Sequence, residues 1–400
     1  MRAVGEGRLP VESPAFERHI DRCLGCRACE QVCPAGVEYG QLLEAARGDL
    51  FEAGVARGAS YSMLRWLLKH VWLHPSRLRF VFASARRFRD LGLAALLLKS
   101  GLAKLLPGRL RFSLALLESS RGRLPKGSSG MDEGAQSTGT PASGAGATML
   151  FTGCVGEGLF KRVNHATKRV LAANRFTVEI PPEQVCCGAL HAHAGDLEGA
   201  RTLARRNIEA FDSGQTIEGA AVITNAGGCG AMLASYGHLL ADDETFRERA
   251  REFSRRVKDV SQQLETVTLR PGGAATSDPV TYDSSCHLLY GQHAGEAPLQ
   301  MMGGVADLNF ERLEGSERCC GAAGVYNVME PELSGKVLAE KLANIRATGA
   351  TILATGNPGC QMHIGAGAML SGPDLIVCHP VELLDEAYRK AGFYDGSDQH

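Results

Sequence analysis

The sequence lacks the features of a secreted, membrane-spanning or nucleotide-binding protein. Residues 1–7 hold no apolar run that could serve as a signal peptide. The longest uncharged apolar stretch within residues 62–117, Leu91–Leu98, is far too short to cross a bilayer. No dinucleotide-binding or P-loop glycine motif follows a predicted strand. These absences favour a protein of the reducing cytosol whose chemistry does not depend on a nucleotide bound to this chain.

The number of cysteines lies between that of a disulfide-dense scaffold and that of an ordinary cytosolic enzyme. The 400 residues suggest two or three domains, and the hydrophobic fraction of 44% is sufficient for substantial cores. Thirteen cysteines are too few for a disulfide-dense scaffold of this length and too many for an ordinary cytosolic enzyme. In a reducing compartment, clustered thiols indicate metal or redox chemistry rather than disulfides.

A pattern of four cysteines occurs twice. A lone cysteine, a Cys-Cys-Gly and a second lone cysteine recur with offsets of 132, 133, 133 and 131 residues. Such phasing indicates an internal duplication and predicts one four-thiol site in each copy. The alternative, buried core cysteine, explains single residues such as Cys378 but not adjacent pairs placed alike in both copies. The predicted sites are Cys154, Cys186, Cys187 and Cys229, and Cys286, Cys319, Cys320 and Cys360.

A third group of cysteines lies near the N-terminus. Residues 23–34 form the run C-x2-C-x2-C-x3-C-P of bacterial ferredoxins, which holds a [4Fe–4S] cluster. Cys23, Cys26 and Cys29 are its three closely spaced ligands. In ferredoxins the fourth cysteine serves a second cluster, so either Cys33 closes the same cluster or an upstream run is missing and Met1 is not the natural start. Zinc is the alternative metal, although zinc sites usually pair two separated C-x2-C arms.

A helix is predicted after the ferredoxin run, from Val37 to about Ala56. Its apolar residues Leu42, Leu43, Ala46 and Leu50 are expected on one face.

Residues 62–117 have a different composition. They contain eleven lysines or arginines and one acid, Asp90, interleaved with apolar residues and both tryptophans. A basic, apolar, helical segment suits a membrane surface or an acidic partner. The alternative of equal weight is an ordinary solvated helical layer. Nucleic acid is not favoured, because the whole chain has a net charge of −1 and this segment holds +10, leaving −11 elsewhere.

The remainder of the chain alternates between predicted strands and helices. Residues 119–147 form a linker in which 15 of 29 residues are Gly, Ser or Pro. Beyond it, the alternation predicts parallel α/β layers. The lone cysteines then fall after strand ends and at helix N-termini, where open α/β sheets bind ligands and thiolates are favoured. The predicted strands are 148–152, 177–180, 220–224, 279–282, 306–310 and 351–354, and the predicted helices are 161–173, 197–211 and 333–346.

These motifs resemble those of the cysteine-rich (CCG) domain proteins. That family includes the iron-sulfur subunits of glycolate oxidase (glycolate dehydrogenase) and of lactate utilisation, and the heterodisulfide reductase B-type subunit. The phrases that carry the resemblance to the glycolate oxidase subunit are His-Ile-Asp-Arg-Cys-Leu-Gly-Cys-Arg-Ala-Cys-Glu (19–30), Cys-Pro-Ala-Gly-Val-Glu-Tyr-Gly (33–40), Phe-Thr-Gly-Cys-Val (151–155) and Thr-Asn-Ala-Gly-Gly-Cys-Gly (224–230). The resemblance covers nearly all of the chain except 62–147.

The resemblance implies an electron-transfer subunit that is not catalytic alone. Flavoprotein partner subunits, which carry the FAD, would oxidise glycolate to glyoxylate, and this chain would pass the electrons to a quinone or another carrier. It further implies a [4Fe–4S] cluster at Cys23, Cys26, Cys29 and Cys33 and additional, non-cubane clusters in the repeats. The protein would be cytoplasmic, with peripheral contact to the inner face of the cell membrane through 62–117.

The resemblance also implies a division of the chain. We expect an α-helical ferredoxin-like domain at 1–61, the basic helical segment at 62–118, the linker at 119–147, and CCG repeats at 148–270 and 271–400.

The sequence departs from the family pattern in two respects. The glycolate oxidase subunit has two ferredoxin runs, and one is present here. The heterodisulfide reductase pattern ends in Cys-x-x-Cys, whereas Met232 and His363 stand at the second position here. The absence of that fifth thiol favours electron relay over disulfide reduction. For His363 a structural role is favoured over metal ligation, as it is for His191, His193, His287 and His379.

Two alternatives remain beside the glycolate assignment. The chain could serve a lactate-oxidising or heterodisulfide-reductase-type complex, or it could be a zinc-stabilised assembly protein without redox chemistry.

Overall fold

The computed structural model describes residues 1–55, 58–122, 145–213 and 219–394. Two four-stranded parallel sheets follow a helical N-terminal region. This arrangement confirms the predicted α/β class with two duplicated units. The linker prediction lies largely outside the described residues.

Both sheets have the same strand order. The first sheet runs β2-β1-β3-β4 and the second runs β6-β5-β7-β8, with every neighbouring pair parallel. In each, the first strand of the repeat lies in the centre, and the chain crosses over helices to reach both sides. The strands are β1 Ala147–Leu150, β2 Thr177–Glu179, β3 Ala221–Thr224, β4 Val257–Asp259, β5 Val280–Asp283, β6 Phe310–Glu311, β7 Ile352–Thr355 and β8 Ile376–Cys378.

The central strands are buried along most of their length. β5 and β7 are buried at all four residues, and β1 and β3 at three of four. Runs such as Ile-Leu-Ala-Thr lack polar alternation because helices cover both faces of a parallel sheet. The edge strand β6 is exposed at both residues, and it is two residues long where the sequence predicted five. The edge strand β4 was not predicted, and of β8 the sequence predicted only that Cys378 is a buried strand residue.

Helices connect the strands of both repeats. Their predicted positions at 161–173, 197–211 and 333–346 are confirmed to within two residues at either end. In the first repeat they are Cys154–Leu159, Lys161–Ala173, Ala189–Ala194, Leu197–Asp212, Gly227–Ala234, Tyr236–Leu239, Arg247–Arg256 and Val260–Leu264. In the second they are the π-turn His287–Gly291 and the α-helices Ala297–Met302, Tyr326–Met329, Pro331–Ala347, Pro358–Ser371 and Pro380–Lys390.

The two repeats share one apolar core. Leu150 and Val170 of the first repeat belong to the same buried cluster as Val280 and Tyr388 of the second. Two polar contacts also join the two repeats. The Arg169 guanidinium bonds both oxygens of the Asp385 carboxylate at 2.9 and 2.6 Å, and the Asn174 amide donates to the Tyr388 hydroxyl at 3.0 Å. The repeats are therefore packed as an internal pseudo-dimer.

The N-terminal region packs its own small core. Leu43, Ala46 and Leu50 are buried with Phe16 and Ile20. The prediction that Leu42 shares this face is wrong, because its side chain is 47% exposed. The helix runs from Tyr39 to Glu52, and a position directly before Leu43 points about 100° away from it. The other helices here are Arg2–Gly5, Pro14–Asp21 and Ala28–Gln31.

The basic segment forms a helical layer against both repeats. Phe82 packs so tightly on Gly158 that a Cβ at Gly158 would lie 2.5 Å from its ring. At the other repeat, the Ser119 hydroxyl donates to the Met362 carbonyl at 2.9 Å. No helix within the described residues is long and apolar enough to cross a membrane. The layer contains Ala59–Leu67, the π-turn Leu68–Trp72, Pro75–Asp90, Leu93–Lys99, the 3-10 turn Leu102–Leu105 and Gly108–Ser119.

Candidate metal centres

Four thiols of the first repeat lie in a row. The Cys154 Sγ is 3.4 Å from the Cys186 Sγ. The neighbouring thiols of Cys186 and then Cys229 hold the pKa of the adjacent Cys187 thiol well above its usual value. The four side chains that the sequence assigned to one site are thus neighbours in space.

The second repeat contains the same row. The Sγ atoms of Cys286 and Cys319 are 3.9 Å apart, and those of Cys320 and Cys360 are 3.1 Å apart. Cys319 and Cys320 contact each other as the middle pair. The thiols therefore follow one order in both repeats: lone cysteine, Cys-Cys pair, lone cysteine.

Strand ends and helix starts position the lone cysteines. Cys154 is the first residue of a helix, and Cys229 and Cys360 are each the third residue of theirs. These helices follow β1, β3 and β7, the central strands. The predicted placement at strand C-termini and helix N-termini is confirmed. The partial positive charge of a helix N-terminus favours thiolate there.

One thiol of the Cys-Cys pair in each row has a lowered pKa. Hydrogen bonds from Cys154 and then Cys187 hold the pKa of the Cys186 thiol well below its usual value. The corresponding bonds from Cys286 and Cys320 do the same for Cys319. A backbone N–H also donates to the Cys319 Sγ, from Gly321 at 3.4 Å. The first cysteine of each pair is thus the most readily deprotonated.

Two buried polar side chains fix the Cys-Cys segment of the first repeat. The Asn207 amide donates to the Cys186 carbonyl at 3.0 Å and accepts from the Val185 N–H at 2.8 Å. The Tyr236 hydroxyl donates to the Cys187 carbonyl at 2.8 Å. Sequence reasoning missed both residues, because bonds to a distant backbone leave no motif in the sequence.

The second repeat uses a buried ion pair in the corresponding region. The Lys341 ammonium lies 2.7 Å from the Asp283 carboxylate, and both side chains are 2% exposed. Lys341 also donates to the carbonyls of Gly315 and Ser316 at 2.8 and 3.2 Å, just before Cys319. Burial raises the pKa of Asp283 even with this lysine beside it. Phe151 stands at the matching strand position of the first repeat, so the two sites differ in their surroundings.

The N-terminal cysteines lie in a loop rich in backbone donors. The Gly25 N–H donates to the Cys23 Sγ at 3.4 Å. Backbone hydrogen bonds from Val37 and then Ala35 lower the pKa of the Cys33 thiol, while burial raises the pKa of Cys26 and Cys29. N–H donors aimed at sulfur stabilise cluster-bound thiolates and tune cluster potentials.

This N-terminal loop lies against the second repeat. Cys26 interacts electrostatically with Cys319 and with Cys286. The Arg27 guanidinium comes within 3.6 Å of the Cβ position of Gly291, on the turn that follows Cys286. The Tyr326 hydroxyl donates to the Arg22 carbonyl at 3.1 Å. No sequence pattern indicates which repeat the loop contacts.

The remaining candidate residues have structural partners. His363 is buried, with its Nε2 3.3 Å from the Ser334 hydroxyl and its ring edge-on to Phe112. Burial lowers the pKa of His363 to about 4. Met232 is buried in the core of the first repeat. Cys378 lies buried in β8, as the sequence predicted.

The other predicted structural histidines are also buried or partly buried. The Nδ1 of His191 is 2.7 Å from the Asp196 carboxylate, and the Nδ1 of His379 accepts from the Val381 N–H at 3.0 Å. The rings of His193 and His287 pack with centroids 5.5 Å apart.

The donor sets fit polynuclear iron-sulfur centres. Within the described residues, no three His, Cys, Asp or Glu side chains converge as ligands of a single ion. The thiols form extended rows instead, and adjacent cysteines can both ligate one multi-iron centre. Sulfur-only donors with backbone N–H groups directed at them are the surroundings that iron-sulfur clusters require.

Comparison with known proteins agrees with this chemistry. The cysteine-rich (CCG) domain model matches residues 148–234 and 280–365. The probable glycolate oxidase iron-sulfur subunit of Bacillus subtilis is 37% identical over 97% of this chain and 86% of its own. The glycolate oxidase iron-sulfur subunit of Escherichia coli is 28% identical over 94% and 83%. Lactate utilization protein A of Shouchella clausii is 31% identical over 59% of this chain and 97% of its own.

The two domain matches cover the two rows of thiols, and the similarity to the Bacillus subtilis protein extends over nearly the whole chain. The chain belongs to the family of cysteine-rich CCG domain proteins that contains the glycolate oxidase iron-sulfur subunits.

Proposed function

We propose that this protein is the iron-sulfur electron-transfer subunit of a flavin-dependent glycolate dehydrogenase. The observation that supports it best is the pair of equivalent thiol rows, one of which lies beside the N-terminal cysteine loop. Centres held close together in one chain suit stepwise transfer of single electrons. No residue of this chain is assigned to the oxidation of substrate, and the protein is not catalytic alone.

The proposed cluster ligands are the cysteines of the three groups. Cys23, Cys26, Cys29 and Cys33 hold a [4Fe–4S] cluster, and Cys33, whose pKa is lowered by backbone N–H groups, closes that cluster. Each row of four thiols holds one further cluster. The domain division proposed from the sequence, at 1–61, 62–118, 119–147, 148–270 and 271–400, assigns one group to each cysteine-bearing domain.

The proposed partners supply the rest of the reaction. A flavoprotein subunit oxidises glycolate to glyoxylate and releases two electrons and two protons. Clusters held by the cysteines of this chain would carry those electrons to a quinone or another carrier. The names of the Bacillus subtilis and Escherichia coli relatives support glycolate as the substrate.

Iron and acid-labile sulfide per chain, measured with a visible spectrum on anaerobically purified complex, test the proposal. Iron clearly above four atoms per chain, together with bleaching by glycolate, is the expected result. About four irons per chain would mean that one of the three cysteine groups holds a cluster and the other two do not. Zinc without sulfide would overturn the proposal and favour the zinc-stabilised assembly protein.

A lactate-oxidising complex is the second candidate. The similarity to lactate utilization protein A over 59% of the chain favours it. Deletion of the gene separates the candidates: glycolate-dependent dye reduction is lost and lactate-dependent reduction persists if glycolate is the substrate. The opposite pattern would favour lactate.

We further propose that the helical layer 59–119 contacts an anionic membrane surface. Phe80, Leu96 and Leu105 are 72%, 62% and 83% exposed among many cations. Apolar side chains beside lysine and arginine suit an anionic lipid surface. Co-sedimentation with phosphatidylglycerol vesicles should weaken for Phe80→Ser and not for Phe310→Ser, a phenylalanine 40% exposed on the second repeat. Equal binding to phosphatidylcholine vesicles, or no binding, would contradict it.

A further inference from the structure

The thiol row of the first repeat borders a cavity. The cavity has a volume of about 610 Å³ and lies between the helix Pro75–Asp90 and the first repeat, with Cys154 and Cys186 in its wall. This volume is within the usual range for small-molecule sites. The cavity is too small for a protein partner and borders a redox-active group of thiols.

Most of the charged groups in the wall are cationic. Arg79, Arg86, Lys161 and Lys168 line it together with His165. The acid in the wall, Glu157, is 3.2 Å from the Lys161 ammonium, which reduces its effect on a ligand. Within the described part of the chain, Arg79 and Lys168 make no hydrogen bond or ion pair. The cavity therefore favours a ligand rich in oxygen acceptors.

The apolar part of the wall is flat and aromatic. Trp72 and Phe82 meet edge to face with centroids 6.1 Å apart, and both line the cavity with Pro181 and Pro182. The indole N–H of Trp72 is buried and has no hydrogen-bond partner within the described residues. A buried donor without a partner is costly.

We propose that this cavity binds the electron acceptor, a quinone, and that the cluster proposed for the first repeat would reduce it. A quinone combines a planar apolar ring with two carbonyl acceptors, which matches the aromatic wall and the donors. This inference rests on the proposed function. Cys154 and Cys186 lie in the cavity wall, which places thiols of the first repeat next to a bound acceptor.

The reaction balances with the oxidation carried out by the partner. Each 2-hydroxy acid yields two electrons and two protons on oxidation to the 2-oxo acid. A cluster held by Cys154, Cys186, Cys187 and Cys229 would supply the two electrons, and two protons from water would complete the reduction of the quinone to the quinol. The cations lower the cost of negative charge on the carbonyl oxygens during this step.

Tryptophan fluorescence tests the site without turnover. Trp66 and Trp72 are the two tryptophans of the chain, so Trp66→Phe leaves Trp72 as the reporter. Titration of the oxidised Trp66→Phe complex with 1,4-naphthoquinone-2-sulfonate should quench Trp72 saturably. Adding Arg79→Gln and Lys168→Gln should raise the half-saturating concentration about tenfold or more, since each removes a charged hydrogen-bond donor. Arg87→Gln, on the same helix but outside the cavity wall, is the matched control and should leave it unchanged.

Three results would overturn the inference. One is linear, unsaturable quenching, and another is an equal weakening by Arg87→Gln. The third is displacement by benzenesulfonate at the same concentration as by neutral 1,4-naphthoquinone, which would make the cavity a general anion site. Reduction of the clusters by glycolate is measured on the same sample. Bleaching by glycolate without saturable quenching would support the proposed function and overturn the acceptor site. Saturable quenching of a protein without clusters would support a binding site in the cavity and overturn the proposed function.

Discussion

Gly227 donates its N–H to the carbonyl of Gly356 at 2.9 Å, which joins the cysteine loop of the first repeat to that of the second. A Cβ at Gly227 would lie 2.9 Å from the Leu288 backbone nitrogen. The contact thus requires glycine for space, and it links the two thiol sites mechanically.

Gly227→Ala should therefore destabilise the protein by about 1–3 kcal/mol, because the loops must separate to admit the methyl group. The measurement is the urea midpoint under anaerobic conditions. Gly228→Ala is the control, since its Cβ would meet the Asn357 side-chain oxygen at 3.4 Å, an ordinary contact. Equal midpoints for the two variants would contradict the tight fit.

Replacing one middle thiol should empty one site. Cys186→Ala removes the cysteine whose pKa is lowered in the first row, and iron should fall by about four atoms per chain if the row holds a four-iron cluster. Cys378→Ala removes a buried thiol in β8 that lies outside both rows, and the iron content should not change. Loss of iron in both variants would indicate general unfolding rather than a lost ligand.

The contact between the N-terminal loop and the second repeat should be visible in the reduced protein. Cys26 and Cys319 interact electrostatically, so clusters bound there would be close enough for spin–spin coupling. The electron paramagnetic resonance spectrum of the fully reduced protein should show broadening that disappears in Cys319→Ala. The matched variant Cys186→Ala should retain it. Broadening that is lost in Cys186→Ala instead would assign the neighbouring cluster to the first repeat.

The buried ion pair of the second repeat should be costly to break. Lys341→Met leaves the Asp283 carboxylate buried without its cation, and the expected loss is about 3–5 kcal/mol of unfolding free energy. Asp283→Asn combined with Lys341→Met should recover part of that loss. The exposed pair Arg318–Glu340 is the control, and Arg318→Ala should cost about 1 kcal/mol or less. A small effect of Lys341→Met would show that water reaches the pair.

His379 should make stability depend on pH. Burial lowers the pKa of His379 from 6.5 to about 3, and its Nδ1 accepts the Val381 N–H at a helix start. Below pH 6.5 the unfolded chain binds a proton that the folded chain does not. This residue's contribution to stability is therefore present above that pH and falls by about 1.4 kcal/mol per pH unit as the pH drops towards 3.

His379→Asn keeps a capping acceptor without the titration. Urea midpoints measured from about pH 7.5 to about pH 5.5 should fall less steeply for this variant than for the natural protein. Parallel lines would show that His379 does not carry the dependence.

The duplicated fold was readable from the sequence because its signals are local and repeated. Each central strand is followed three to five residues later by a lone cysteine, and the long helices have clear periodicity. The edge strand β4 was missed because its three residues, Val-Lys-Asp, include two charged side chains and so carry no apolar pattern. Leu42 was placed on the wrong face because neighbouring leucines leave the phase of a helix ambiguous.

The sequence predicts which cysteines form each row of thiols, but it does not predict the residues that surround them. The spacing of Cys186 and Cys187 marks a site, whereas Asn207 and Tyr236 support it through backbone carbonyls. The contact of Cys26 with the second repeat depends on how whole domains pack. The cavity beside Cys154 depends on the same packing, since its wall combines residues from two regions separated by the linker.

The bond between the Tyr326 hydroxyl and the Arg22 carbonyl spans 304 residues of chain. A ribosome adding about 5–20 residues per second needs roughly 15–60 seconds to synthesise that interval. Throughout that time the N-terminal cysteines exist without the surface that covers them in the finished protein. Iron and sulfide delivered during translation would meet an exposed loop, so we expect cluster insertion at these cysteines to follow release of the completed chain.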